Sequence, residues 1–376
     1  MLHFFRSPLV MVAVLAACTG DNSASSERFV AGSALDSLPA LSIAEGRLVC
    51  TATGADGCPL SSAVANRFDD GRVAVWEPGR EVRILDAKNP SGRAFGVSGQ
   101  GTGQYAVALA VGPYQGGIAI VDGQRNRLLH YDDAGNFKRE DVLPTPTPNA
   151  APGFVGDTPV LQTLQAPSDS AVAHLKVELL TSQEERTGVT VLDVPVPWLR
   201  LRGDSAVSFT PFFPTSPVYS IDRDQTVVWA PGDSFRVERR GFKGAVKWTL
   251  VSDRQGLPVT ERDIEIRRDL IYRTAARGQL RPGELDSMVA ATASMHPVIS
   301  GIVLESRGRV LVAGSIAPSR DSVEYLLLSN AGEPANRLTL PMRTHPLILS
   351  GDSLLVHRPT EGEPWELRWL ILKSRP

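Results

Sequence analysis

The stretch FGVSGQGTGQY, residues 95–105, places Gly96, Gly99, Gly101 and Gly103 within eight positions. Its reading decides the fold. A phosphate-cradling loop runs from a strand into a helix whose N-terminus faces the anion. Here the glycines lead into AVALAVG, 106–112, which is apolar and short, and no Gly-Lys-Ser/Thr follows. The alternative is a structural connector, in which glycine permits positive φ and close backbone approach. The connector is the expected reading.

Working outward, a weak unit recurs. A turn precedes a short apolar strand in DGRVAVW (70–76), GGIAIVD (116–122), RGRVLVA (307–313) and GDSLLVH (351–357), and without its glycine in DQTVVWA (224–230). A second strand then runs into a polar, glycine-bearing turn: EVRILDAKNPSG (81–92), NRLLHYDDAG (126–135), FRVERRGFKG (235–244) and EYLLLSNAG (324–332). The strands are rich in Val, Ile, Leu and Trp, and the chain's 28 Pro and 33 Gly are scattered between them as punctuation. Small antiparallel sheets of this kind cannot bury both faces alone, but stacked radially each covers its neighbours. The expected fold is all-β: a six-bladed β-propeller.

The order of motifs in IVDGQRNRLLHYDDAGNF, 120–137 (strand, Asp122, polar loop, strand, Asp132-x-x-Gly135), followed elsewhere by a glycine-rich segment closing on an aromatic such as Tyr105, resembles the NHL-like six-bladed propellers of bacterial lipoproteins. The resemblance is good over 60–145, fair over 204–376 and poor over 145–200. Blades are expected at 60–100, 104–144, 154–200, 204–252, 296–341 and 342–375, with LSIAEGRLVC (41–50) completing the last. The segment 259–295 has few turn signals. Thr260 with Asp263 is suited to cap a first helix, and Pro282 to open a second. A small helical insert between blades four and five is expected, either packing on a propeller face or shaping a binding surface.

The N-terminus carries an address. Residues 1–17, MLHFFRSPLVMVAVLAA, have a positive Arg6 and a ten-residue apolar run, shorter than the ~20 residues of a membrane span. Leu15-Ala16-Ala17-Cys18 looks like a lipobox, which implies a signal peptide over 1–17 and a lipidated Cys18 as the mature N-terminus; an ordinary signal peptide or a cysteine-bearing membrane anchor is the alternative. Residues 18–37 are expected to form a flexible tether and 38–376 the propeller domain. Thr19, in place of the Asp that retains enteric lipoproteins, points to outer-membrane sorting in a diderm. Of the remaining cysteines, Cys50 and Cys58 bracket a glycine-bearing loop and suit a disulfide in an oxidising compartment, with metal binding as the alternative.

Composition narrows function. The chain has 39 Lys+Arg against 41 Asp+Glu, a net of −2 that becomes −3 when Arg6 leaves with the leader. With no basic block, nucleic acid is not an expected partner. No H-E-x-x-H, G-x-S-x-G or Cys-x-x-Cys occurs, so no catalytic, metal or cofactor residues are assigned. Asp122, Asp132 and Asp133 read as solvated turn residues rather than an acid/base pair, and RVERRGFKG, 236–244, as an exposed strand face. The expected role is a membrane-tethered binding or scaffolding module for a protein or glycan. The alternative is a metal-dependent propeller hydrolase or lyase whose ligands come from several blades.

Overall fold

Short β-branched and aliphatic runs stopped by Gly, Asp, Asn or Pro favour local antiparallel pairing. The computed structural model describes residues 26–51, 63–86, 92–143, 150–165, 172–182, 187–202, 205–208, 211–222, 224–274, 283–305, 307–360 and 363–374. Among the described residues six four- or five-stranded sheets follow one another along the chain, with one two-stranded sheet in a connector, and the protein is a six-bladed β-propeller with few helices.

Blade 1 comprises Val64–Arg67, Val73–Trp76, Val82–Leu85 and Arg93–Phe95, and blade 2 Ala108–Tyr114, Gly117–Asp122, Arg127–Tyr131 and Phe137–Val142. Blade 3 has five strands, Ala150–Val155, Thr158–Gln165, Val172–Ser182, Thr187–Arg202 and Ser205–Ser208. Blade 4 spans Val218–Ile221, Thr226–Ala230, Phe235–Gly241 and Val246–Ser252; blade 5 spans Gly301–Leu304, Val310–Ala313, Ser322–Leu328 and Pro334–Pro341. Blade 6 takes His345–Ser350, Ser353–Thr360 and Glu363–Ser374 from the C-terminal chain and Leu41–Thr51 from the N-terminal one. That last pairing is antiparallel, from Leu41 opposite Ser374 to Thr51 opposite Glu366, so both ends of the chain close the ring as expected.

The core is divided into six slabs, one between each pair of neighbouring blades. Successive residues of a strand point to opposite faces. In blade 5, Val310 and Val312 therefore pack toward blade 4, while Leu311 and Ala313 pack toward blade 6. In blade 1, Ala74 and Trp76 meet blade 2, and Val73 and Val75 meet blade 6. Strands buried on both faces explain why the sequence shows continuous apolar runs instead of alternation.

Two boundaries differ from expectation. The segment read as a tether over 18–37 is structured from Ser26: Ser26–Phe29 adds a parallel strand to the outer edge of blade 4, with Ser26 opposite Trp248 and Phe29 opposite Val251. Helix α1, Gly32–Asp36, then buries Leu35 completely, and Val30 and Leu38 pack beside it. Three spaced apolar side chains suffice to dock a segment whose average composition is polar. Residues 18–25, Cys18 included, lie outside the described residues. Likewise Ser205–Ser208, expected to open blade 4, is the fifth strand of blade 3.

The opening stretch is a connector. Gly96 and Gly103 have φ of +66° and +67°, and a Cβ on Gly103 would lie 2.6 Å from the Phe137 ring. Tyr105 ends it fully buried between blades 1 and 2, its hydroxyl accepting from Val82 N at 2.8 Å. Burial pushes that phenol up to about 12. The chain then enters the strand Ala108–Tyr114, with no helix for an anion to cap.

Candidate functional site

In each blade the first strand is innermost, and the turns joining first to second and third to fourth strands lie on one face, here called the turn face. The connections between blades lie on the other. Polar contacts from the strands and turns tie each blade to the next. Asn66 Nδ2 donates to Val111 O (2.9 Å), Gln115 N to Asp157 Oδ2 (3.2 Å) and Tyr219 Oη to Gln162 Oε1. Arg239 Nη1 donates to Gly308 O (3.0 Å), Arg309 Nη2 to Gly351 O (2.5 Å) and Arg67 Nη1 to Ser350 Oγ. These six contacts carry the ring from blade 1 round to blade 1.

They surround a central cavity of about 290 Å³. Its walls are the innermost strands, with Ile221, Ile302, Leu304 and Ile348 among the apolar residues and Arg67, Asp222 and Glu305 as the charged ones at the turn face. Phe154 enters it from blade 3 against Gly112, where a Cβ would lie 2.2 Å from the ring. Asp222 is held by Thr226 N (3.1 Å), Thr226 Oγ1 (2.6 Å) and Arg239. Glu305 is bound by Arg309 Nε (2.6 Å) and Gly351 N (2.5 Å). Burial pushes the Glu305 carboxyl upward, but its bonds to Arg309 and Gly351 prevail and hold it below the usual range. Both carboxylates are thus committed to arginine. Among the described residues no histidine lines the cavity, and no three His, Cys, Asp or Glu side chains converge as metal ligands.

A second cavity lies on the opposite face, under the insert. Helix α2, Glu261–Thr274, and helix α3, Glu284–Ala290, form between blades 4 and 5 as expected. Thr260 and Asp263 cap α2 reciprocally: Asp263 N donates to Thr260 Oγ1 (3.2 Å), and Thr260 N to Asp263 Oδ2 (2.9 Å). Asp263 does more than cap. Fully buried, it also accepts from Ser319 N of blade 5 (2.8 Å) and lies 3.3 Å from His296 Nε2. Burial opposes its charge, yet the bonds from Thr260 and Ser319 hold its carboxyl well below the ordinary range. Thr292 Oγ1 accepts from Phe212 N (3.0 Å), fixing the return chain. Between α2 and the blades is an apolar cleft of about 340 Å³ whose lining includes Phe213, Ile266, Leu270, Ile299 and Ile316. Leu270 and Ile316 in this lining are 46 % and 38 % exposed. Pro282 lies outside the described residues.

Other residues singled out in the sequence fall as follows. Asp132 and Asp133 are turn residues, Asp132 accepting from Asn136 N at 2.8 Å and Asp133 pairing with Arg72 at 3.0 Å. Asp122 is not solvated: completely buried, it accepts from Ala106 N, Val107 N, Gln124 N and Arg127 Nε. Nor is 236–244 simply an exposed face, for Arg239 is 2 % exposed in its pair with Asp222. His130 bonds Asp141 (2.6 Å) and His174 bonds Asp193 (2.7 Å), while His345 and His357 stack on Trp365. Cys50 sits in the strand Leu41–Thr51 opposite Leu367; Cys58 lies outside the described residues. Among those residues, no helix is long and apolar enough to cross a membrane.

No family model matches this chain, and no curated protein does either. Solved structures share its fold. A Bacteroides fragilis protein named as exported aligns over 94% of this chain and 99% of its own, with 12% identity and a TM-score of 0.53. A member of the DUF4221 family from Bacteroides vulgatus aligns over 90% of this chain and 100% of its own, with 10% identity and a TM-score of 0.48. The β-propeller domain of a Pyrococcus furiosus trilobed protease aligns over 81% and 80%, with 9% identity and a TM-score of 0.41.

Proposed function

We propose that this chain is a lipid-anchored protein of the cell envelope, outer-membrane in a diderm, whose NHL-like propeller binds a protein or glycan partner without catalysing a reaction. The observation that carries the reading is the insert. Helix α2, fastened to blade 5 through a buried aspartate, roofs an apolar cleft whose Leu270 and Ile316 stay open to solvent. Monomeric surfaces keep such apolar groups dispersed; gathered beside a cleft they mark a contact surface. Loops on a rigid scaffold are also where binding residues concentrate.

The parallel strand Ser26–Phe29 begins beside Trp248 and ends beside Val251, near the insert. The eight-residue step from Cys18 to Ser26 spans at most about 27 Å when extended. On this reading a lipid on Cys18 keeps the outer edge of blade 4 near the bilayer, with the chain entering that blade from the turn-face end at Ser26. Replacing 259–295 by a short Gly/Ser linker is expected to abolish capture of an envelope partner by the mature protein; equal capture by both forms defeats this reading. Cys18→Ser is expected to leave the leader uncleaved or the protein soluble, checked by acyl mass and fractionation. The Cys50–Cys58 bond, part of the same exported reading, is expected to contribute about 2–3 kcal/mol, checked by unfolding with and without reductant.

A further inference from the structure

Helix α2 carries four arginines, and three of them are paired. Arg262 meets Glu265, Arg268 meets Asp286 and Arg273 meets Asp269. Arg267 has no ion pair among the described residues, and its buried Nε has no hydrogen-bond partner there. Asp263, Ile266, Arg267 and Leu270 follow at helical spacing and so share one face. Asp263 fastens that face to blade 5, and Ile266, Arg267 and Leu270 line the apolar cleft beneath it. Across the cleft stand Phe213 and Ile316. None of these four apolar side chains belongs to the slabs packed between blades, so their surfaces are free to meet a ligand. Among the described residues no carboxylate lines the cleft. It therefore holds one uncompensated guanidinium, with five N–H donors in a planar fork, beside an apolar wall.

We propose that this cleft binds a medium-chain carboxylate, its head on the Arg267 fork and its alkyl chain against Ile266, Leu270, Phe213 and Ile316. A planar carboxylate matches the guanidinium in two parallel hydrogen bonds. The low-dielectric wall strengthens that attraction relative to an open surface, where water and salt screen it. Phosphate, strongly hydrated and without an apolar part, makes no use of the wall. At about 340 Å³ the cleft lies within the range of small-ligand sites, ~300–1,000 Å³. The inference goes beyond the partner reading and does not rest on it, because the ligand is measured on purified protein with no partner present.

Residues 19–376 include every described strand and helix. This chain, without its leader, is titrated by calorimetry in plain buffer, where no detergent competes for the cleft. Octanoate is expected to bind one-to-one, and its neutral amide octanamide about tenfold more weakly, for want of a charged hydrogen bond. From butanoate to octanoate, affinity is expected to rise by up to about fourfold per added CH₂. Inorganic phosphate is expected to bind more weakly than octanoate. Arg267→Met is expected to weaken octanoate about ten- to hundredfold. Arg268→Met removes the same charge from the next position, outside the cleft lining, and is expected to leave octanoate affinity unchanged. If Arg267→Met fails to fold by circular dichroism, Arg267→Gln, polar but uncharged, supplies the readout with the same expected loss. The proposal is overturned if octanoate does not bind, if octanamide or phosphate binds as tightly, or if affinity does not grow with chain length. It is also overturned if the folded Arg267 variant binds as wild type does. Equal loss in Arg268→Met and Arg267→Met overturns it as well, since that assigns the effect to the charge of the helix. A captured envelope partner with no octanoate binding would overturn this proposal alone.

Discussion

Asp122 in blade 2 and Asp222 in blade 4 are both buried carboxylates facing an arginine, and they stabilise the ring in different ways. Asp122 closes its own neighbourhood. It sits at the end of a second strand and gathers the amides of Ala106, Val107 and Gln124 with Arg127 Nε, all within sixteen residues of itself. Asp222 works through Arg239, whose guanidinium reaches Gly308 O and Asn330 Oδ1 in blade 5, 69 and 91 residues further along the chain. The first carboxylate shapes a blade, whereas the second joins two blades. Arg127 also has other anchors, Glu140 Oε2 and Gln104 O, but Asp222 is the one carboxylate bonded to Arg239 among the described residues.

Removing Arg239 should therefore have the largest effect. Arg239→Met leaves Asp222 buried without its counter-charge, and a loss of about 3–5 kcal/mol is expected from denaturant midpoints. Asp222→Leu in that background should recover part of it; no recovery would mean that the pair is not what Arg239 contributes. Asp122→Ala should cost less, about 1–3 kcal/mol, because Arg127 keeps Glu140 while three amides lose their acceptor. Should Asp122→Ala prove the more damaging of the two, the contrast between local and inter-blade roles fails.

A third buried aspartate combines both behaviours. Asp263 caps its own helix and reaches blade 5 through Ser319. Its folded carboxyl titrates below the unfolded value of about 3.9. The native state therefore gains from it above that pH, and the gain disappears as pH falls from about 4 downward. Asp263→Asn is expected to cost about 1 kcal/mol at neutral pH and to flatten the acid limb of stability against pH. Parallel acid limbs in the two proteins would contradict the assignment.

The same contrast explains what the sequence could convey. Asp122, Asp132-x-x-Gly135 and the glycines before Tyr105 act within one hairpin or its connector, so their spacing is visible in the chain and the propeller can be read from it. The Thr260–Asp263 cap was legible for the same reason. In the sequence Arg239 resembles a surface residue because its partners are Gly308 and Asn330, which no local pattern links to it. The channel escaped detection for a similar reason, since each blade contributes only a few residues to it. Blade 3, whose strands Val172–Ser182 and Thr187–Arg202 are long and pair irregularly, kept its fifth strand hidden in what read as the start of blade 4.

The insert face, and not the turn face, is expected to meet the partner. Site-specific photo-crosslinking in intact cells tests it, with a benzophenone side chain at Ile316 in the wall of the cleft or at Asp133 on the turn face. Both positions are exposed, at 38 % for Ile316 and with a 60 % exposed side chain for Asp133. The expected result is a discrete crosslinked species from Ile316, lost when Leu270→Asp is introduced, and none from Asp133. Crosslinking from Asp133 with none from Ile316 would place the partner on the turn face instead.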